Sequence, residues 1–137
     1  MDEKFIKRYE SFKKSLEALK EAEDRDPSDS FVLSGTAAKF TITYELAWKV
    51  MKDVLIQYYG ISDFVVGSPK EVLRKGFQTE LIAEEEMWLE IHNLRNQIAH
   101  TYEDTELLEY YHQIVSKYIK KFEELKQRIE ELPAIGL

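Results

Sequence analysis

The chain has 137 residues, 44% of them hydrophobic and 33% charged, a size and balance that favour one folded domain over residues 1–137. Only five glycines and three prolines argue against a turn-rich β fold, and the absence of cysteine excludes disulfides, thiolate zinc sites and a cysteine nucleophile. A formal net charge of −7 opposes strong non-specific binding to nucleic acid, and the lack of long apolar runs predicts a cytoplasmic protein without membrane contact.

The first half of the chain predicts two long helices. Over residues 2–23, apolar side chains recur at spacings of four and three, which indicates one buried stripe of Phe5, Tyr9, Phe12, Leu16 and Leu19. A second helix is predicted over residues 30–59, with Gly60 in position to end it. Its apolar face comprises Phe40, Tyr44, Trp48, Met51, Leu55 and Tyr58. Gly35 and the threonines near it lower helix propensity, so a break or a disordered entry before Ala37 stays open.

The second half predicts one short helix and two longer ones. Ser68, Pro69 and Glu71 provide an N-cap, a proline at the first helical position and a capping-box glutamate for a helix over residues 69–77. The apolar face of this short helix is Val72, Leu73 and Phe77. Longer helices are predicted over residues 83–101 and 105–131, the latter with an inner face of Leu108, Tyr111, Val115, Tyr118, Phe122, Leu125 and Ile129.

These five helices predict an all-α fold, an up-and-down antiparallel four-helix bundle with one additional short helix. Late in the chain, basic residues alternate with glutamates as on a solvated helix face, namely Lys117, Lys120, Lys121, Lys126 and Arg128. Residues 84–86 are three glutamates that would favour the N-terminus of the fourth helix through its dipole. No metal or cofactor is predicted, because the three histidines lack ligand spacing: His92, His100 and His112.

The fourth helix contains the residues best suited to chemistry. At about 100° per residue, its apolar arc comprises Met87, Ile91, Leu94, Ile98 and Tyr102, with Trp88 at the edge. Arg95 falls inside this arc, and a guanidinium that stays charged needs an acceptor there: Glu45, a partner chain or a substrate phosphate. Another stripe, typical of a solvent-facing side, comprises His92, Asn96 and His100.

Arg95 and His100 do not converge on a regular helix. Five positions at about 100° each place their side chains about 140° apart. One protomer would therefore not bring both groups to a single atom, whereas a dimer, or fraying of the helix at Thr101, would allow it.

The pattern Arg95-x4-His100-x-Tyr102 resembles the R-x4-H-x-Y motif of the HEPN superfamily. Its surroundings are similar to one branch, the HepT-like nucleotidyltransferase substrate-binding proteins. The similarity rests on residues 39–40 with 44–49, residues 68–74 and residues 88–89, in this order along the chain. Together with the motif, these segments extend from Lys39 to Tyr102.

This resemblance implies a helical bundle that forms a homodimer through the motif helices, and a minimal nucleotidyltransferase as the partner encoded beside it. In related toxin–antitoxin pairs the HEPN protein is a metal-independent ribonuclease, and the nucleotidyltransferase silences it by adding AMP to the motif tyrosine. In this chain that tyrosine is Tyr102. Nothing in the sequence indicates that the chain itself transfers nucleotides, because it has neither a glycine-rich phosphate loop nor a pair of aspartates at nucleotidyltransferase spacing.

Two functions are compatible with the motif. In a ribonuclease, His100 would act as general base or acid, Arg95 would stabilise charge on the phosphate oxygens, and Asn96 would orient either group. In a non-catalytic nucleotide- or substrate-binding subunit of the nucleotidyltransferase, the same residues would only contact a nucleotide or the partner enzyme. Tyr102 would then be a modification site or an aromatic at the edge of the core. A purely structural interpretation makes Arg95 a salt-bridge residue of the dimer and His100 a helix C-terminal cation.

Overall fold

Five continuous helices and no strand make up the fold in a computed structural model that describes all 137 residues. The helical segments are α1 (Glu3–Lys20), α2 (Ser30–Gln57), α3 (Pro69–Gln78), α4 (Glu85–Ile98), α5 (Asp104–Gln113) and α6 (Ile119–Glu130). A 3₁₀ turn, Glu21–Asp24, follows α1, and a π-helical segment, Ile114–Tyr118, joins α5 to α6 without interruption. The predicted all-α helical bundle is confirmed. None of these helices combines the length and the apolar composition that a membrane-spanning segment requires.

The helix α2 lies at the centre of the bundle. It contacts α1, α3, α4 and α5, and α1 packs in addition against α6. The break or disordered entry before Ala37 that the sequence left open is absent, since α2 is helical from Ser30 onward. Its threonines are accommodated because Thr41 and Thr43 donate their hydroxyls to carbonyls one turn earlier, and Thr43 Oγ1 also lies 2.6 Å from Ser15 Oγ of α1.

Short polar side chains fix where the helices begin. The Asp2 and Asp29 carboxylates accept hydrogen bonds from the amides of Phe5 at 2.8 Å and Phe31 at 2.9 Å. The predicted start of α3 is confirmed, because Ser68 Oγ accepts from the Glu71 amide at 3.3 Å. The Ser68 hydroxyl also donates to the Glu71 carboxylate at 2.9 Å, so the two side chains bond each other directly.

An aromatic cluster connects three helices in the core. The Phe40 ring of α2 lies 6.0 Å from the ring of Tyr118 and 5.9 Å from that of Phe122 on α6. Phe122 in turn meets Trp88 of α4 edge-on at 5.6 Å. The whole predicted stripe of α1 is also buried, which confirms that assignment: Phe5, Tyr9, Phe12, Leu16 and Leu19.

Several predicted core positions are wrong. Leu108 is 37% exposed and Val115 only half-buried, whereas Leu107 and Ile114 are buried in their place. The π-helical segment has more residues per turn than an α-helix, so it changes which positions face inward along α5 and α6. Phe77 is 46% exposed, whereas its neighbour Gly76 is the buried residue in the last turn of α3.

Two aromatic residues that were predicted on the apolar face of the second helix, one within α2 and one directly after it, are only half-buried. Trp48 and Tyr58 lie at the margin of the core, where their polar atoms reach acceptors. The Trp48 indole donates to Glu45 Oε2 at 3.1 Å, and the Tyr58 hydroxyl donates to the Pro133 carbonyl at 2.8 Å.

Lys121 departs from the solvated face that the sequence predicts for the late basic residues. Its side chain is buried, and its ammonium forms ion pairs with Glu84 and Glu124. Glu84 precedes α4 in the left-handed backbone region, with a φ of 57°. The first of the three glutamates therefore anchors the start of α4 to α6, in addition to any effect on the helix dipole.

The aromatic cluster gives a direct test of the packing. Phe40→Ala should lower the free energy of unfolding by about 3–5 kcal/mol, because it removes a fully buried ring and leaves a cavity. Phe31→Ala on the same helix is the matched control, since Phe31 is 86% exposed, and its effect should stay within about 0.5 kcal/mol. Urea unfolding monitored by circular dichroism measures both. Similar losses for the two variants would contradict the assigned core.

Candidate functional site at the end of α4

The helix α4 ends before the motif does. Its last residue is Ile98, three positions short of the predicted end at Thr101. The Thr101 hydroxyl donates to the Gln97 carbonyl at 2.7 Å and so satisfies one of the terminal acceptors. His100 and Tyr102 therefore lie in the connection to α5, where the angle of about 140° expected on a regular helix does not apply to them.

Arg95 has its acceptor within the chain. Its Nε lies 2.8 Å from Oε1 of Glu45 on α2, and both side chains are about one-third exposed, at 36% and 31%. The Nε–H is not aligned for a hydrogen bond, so this contact is an ion pair by distance alone. The Arg95 Nη1 donates to Asn96 Oδ1 at 3.3 Å. Of the three acceptors that the sequence allowed, the structure contains Glu45.

His92 belongs to the same group of side chains, although the sequence placed it on the solvent side. Its Nδ1 lies 2.8 Å from the hydroxyl of Tyr44, a buried residue of α2, and its Nε2 lies 3.4 Å from Nδ2 of Asn96. We call this set the polar network: Tyr44, Glu45, His92, Arg95 and Asn96. The i, i+4 spacing of His92 and Asn96 was visible in the sequence, but nothing there indicated that Tyr44 faces them.

Burial changes the protonation of the polar network. It lowers the pKa of His92 below its ordinary value, and the charges of Lys70 and Arg95 act in the same direction while that of Glu45 opposes them. Burial also raises the pKa of Tyr44, which therefore remains a neutral phenol. At neutral pH the only ion pair of the network is the one between Glu45 and Arg95.

His100 and Tyr102 stand apart from the polar network. The His100 side chain is exposed, and no hydrogen bond or ion pair joins either residue to Arg95 or Asn96 within the chain. Tyr102 is 87% exposed, so its predicted place in the apolar arc is wrong, as is a role at the edge of the core. The reason is that α4 stops at Ile98 and cannot carry its apolar face as far as Tyr102. The other seven tyrosines of the chain are buried or half-buried.

A comparison with known protein families identifies the family of this chain. Residues 7–131 match the family described as "nucleotidyltransferase substrate binding protein like". The chain belongs to this family. It is also 31% identical over 111 residues to a protein from Haemophilus influenzae named probable ribonuclease HepT, and the alignment covers 77% of this chain and 76% of that protein. The branch that the motif and its flanking segments suggested is thus confirmed.

The fold of the nucleotidyltransferase substrate-binding family has been seen before. The protein HI0074 from Haemophilus influenzae, described as having the fold of a substrate binding domain of a nucleotidyltransferase, matches with a TM-score of 0.70 at 23% identity. The match covers 93% of this chain and 97% of that one. In this member of the family, one segment on which the resemblance rested, residues 44–49, supplies Tyr44 and Glu45 to the polar network and the Trp48 indole that binds Glu45.

The ion pair between α2 and α4 can be measured by a double-mutant cycle. Glu45→Gln, Arg95→Gln and the double variant should give a coupling of about 0.5–1 kcal/mol, because both side chains are partly screened by water. The exposed pair of Glu3 and Lys7, 3.8 Å apart, is the control and should couple more weakly. Chemical denaturation in low salt gives the four stabilities of each cycle. Equal coupling in the two pairs would contradict a specific contact at Arg95.

Proposed function

We propose that this protein is a metal-independent ribonuclease that acts as the toxin partner of a minimal nucleotidyltransferase. It would work as a homodimer in which Arg95 and Asn96 of one protomer meet His100 of the other. One observation carries the proposal: the side chains of His100 and Tyr102 are exposed, and neither forms a hydrogen bond or an ion pair, directly after the helix that carries Arg95 and Asn96. The name of the Haemophilus influenzae relative, probable ribonuclease HepT, points to the same activity.

The chemistry assigned to these residues is transfer of a phosphodiester to the neighbouring ribose oxygen. His100 takes the proton of the 2′-hydroxyl, the 2′-oxygen attacks phosphorus, and the bond from phosphorus to the 5′-oxygen breaks. The leaving oxygen receives a proton from water. The products are a 2′,3′-cyclic phosphate and a 5′-hydroxyl end, and DNA is not cleaved because it lacks the attacking hydroxyl.

Arg95 is suited to hold the reacting phosphate. Within the chain its Nε faces Glu45 and its Nη1 binds Asn96, whereas no hydrogen bond uses Nη2. The N–H groups of Nη2 are therefore available to the non-bridging oxygens, on which negative charge builds during the attack. Asn96 would keep the guanidinium in this orientation. No step requires a metal ion.

The alternative is a non-catalytic subunit that binds a nucleotide or substrate for the nucleotidyltransferase. It is favoured by one observation, the pairing of Arg95 with Glu45, which reduces the positive charge offered to RNA by a chain whose net charge is already −7. In this function Arg95, Asn96 and His100 contact a phosphate without turning it over. The family description, which names substrate binding, agrees with it.

A cleavage assay separates the two functions. The purified protein, free of nucleotidyltransferase and of AMP, should cleave RNA in the presence of EDTA. His100→Ala should reduce the rate about 10²–10⁴-fold through loss of acid–base catalysis, and Arg95→Ala about 10²–10³-fold through loss of charge stabilisation. His112→Ala is the control, because His112 is exposed on α5 outside the motif. No cleavage by the wild type would exclude the ribonuclease and favour the binding subunit.

Mixing the two inactive variants tests the composite site. In a dimer built from an Arg95→Ala protomer and a His100→Ala protomer, one of the two sites combines an intact Arg95 with an intact His100 across the interface. With random assortment, the mixture should therefore recover about a quarter of the wild-type activity. Sedimentation of each variant confirms that it still dimerises. No recovery after the two variants have been unfolded together and refolded into dimers would mean that both residues act within one protomer.

The exposed tyrosine gives a separate prediction about the partner. With the nucleotidyltransferase and ATP, AMP should be incorporated at Tyr102, because its hydroxyl is the one tyrosine hydroxyl on an exposed side chain. Tyr102→Phe should abolish incorporation, whereas Tyr110→Phe, a half-buried neighbour in sequence, should leave it unchanged. Intact mass spectrometry after incubation measures both. Incorporation into Tyr102→Phe would place the modification elsewhere.

A further inference from the structure

Arg95 determines every hydrogen-bond direction in the polar network. A guanidinium only donates, so the Asn96 atom that faces Nη1 must be the oxygen Oδ1. The Asn96 amide nitrogen then faces Nε2 of His92, and because an amide nitrogen also only donates, this Nε2 must be unprotonated. A neutral His92 carries its single proton on Nδ1 and donates it to the Tyr44 hydroxyl 2.8 Å away. Only neutral His92 with its proton on Nδ1 satisfies all of these hydrogen bonds.

Protonation of His92 is incompatible with this arrangement. A second proton on Nε2 would face the amide hydrogens of Asn96, so two donors would oppose each other. Rotation of the amide would relieve that conflict only by turning its nitrogen toward the Arg95 guanidinium, which is again a donor facing a donor. The Asn96 side chain must therefore leave either His92 or Arg95.

The charges around His92 favour its neutral form. It faces Tyr44 and Glu45 on α2, Lys70 at the start of α3, and Asn96 and Arg95 on its own helix. Two of these groups are cations and one is an anion, and the ring is half-buried. Burial and the two cations hold the pKa of His92 below its ordinary value. The hydrogen bonds that connect His92 through Asn96 to Arg95 are therefore intact at neutral pH.

We propose that His92 is a positioning residue: in its neutral form it holds Asn96, and through Asn96 the guanidinium of Arg95, and its protonation in mild acid breaks this connection. The effect on cleavage rests on the proposed function. The hydrogen-bond arrangement does not, because it is a property of the folded chain. The two are therefore tested by separate measurements on the same protein.

The arrangement is tested by nitrogen-15 NMR of labelled histidine side chains. His92 should show the Nδ1–H tautomer near pH 8 and should titrate below the ordinary value of about 6.5. The Nε2–H tautomer, or titration at or above the ordinary value, would overturn the proposal. The three histidine signals are assigned with His92→Gln, His100→Gln and His112→Gln.

Replacing Asn96 by aspartate tests whether the Asn96 amide is the group that disfavours protonation of His92. In Asn96→Asp a carboxylate accepts from Arg95 and from a protonated His92 together, so the pKa of His92 should rise by about one unit or more. The control is Asn93→Asp, which adds the same charge at an exposed position of the same helix without a hydrogen bond to His92. An equal rise in both variants would show a general charge effect and would overturn the role of Asn96.

The link to Arg95 is tested by two readouts, one of which needs no activity. The Nε–H signal of Arg95 should shift with pH at the midpoint of His92 in the wild type and stay constant in His92→Gln, whose amide cannot be protonated. The cleavage rate of His92→Gln relative to wild type should rise from about pH 8 toward about pH 5, because His92 becomes protonated in the wild type and the glutamine that replaces it does not. A constant Arg95 signal in the wild type would overturn the positioning role. Absent cleavage combined with a coupled Arg95 signal would reject the ribonuclease function alone.

Discussion

The position of the site follows from the burial of α2 on more than one side. This helix of 28 residues is about 42 Å long at 1.5 Å per residue, and α1, α3, α4 and α5 all pack against it. Phe40 on one turn meets the Phe122 ring of α6, and Tyr44 one turn later faces α4. Because Glu45 follows Tyr44 directly, the residues that anchor α4 in the core also fix the acceptor beside Arg95. The polar network is thus a consequence of the central packing.

The π-helical segment allows the two halves of the last long helix, α5 and α6, to pack against different parts of the core. Its α5 part packs Leu107 and Tyr111 against Leu33 and Ala37 near the start of α2, and Tyr111 donates its hydroxyl to the Ala22 carbonyl at 2.6 Å. Its α6 part must direct Phe122 toward Phe40 and Trp88 instead. The wider turn at Ile114–Tyr118 changes the inner face between these two contacts. This register change could not be derived from the periodicity of apolar residues, which is continuous through the segment.

The sequence predicts the structure best where the chemistry of a side chain allows only one environment for it. The stripe of α1 is unambiguous because five large apolar side chains share one face, and Arg95 required an acceptor because a half-buried guanidinium cannot lose its charge. The sequence predicts the exposure of a side chain poorly where that exposure depends on the packing of a neighbouring helix or on the residue at which a helix ends. Tyr102 satisfied the helical angle but lies past the end of α4, and His92 appeared solvent-facing because its partner Tyr44 is 48 residues away in sequence.

The pairing of Arg95 with Glu45 sets a requirement on any anion that binds here. The carboxylate faces Nε, so it turns the Nη edge of the guanidinium outward but also offsets its charge. At about one-third exposure this offset is weakened by water without being removed. In a single protomer, the Nη atoms of Arg95 therefore point outward, but the Arg95–Glu45 pair has little net positive charge. The whole chain, with 26 acidic and 19 basic residues, is negative. Strong attraction of a phosphate must come from groups outside this pair. In the proposed homodimer, the exposed His100 of the second protomer lies outside this pair and would add a contact to the phosphate, so binding would depend on the geometry of the interface.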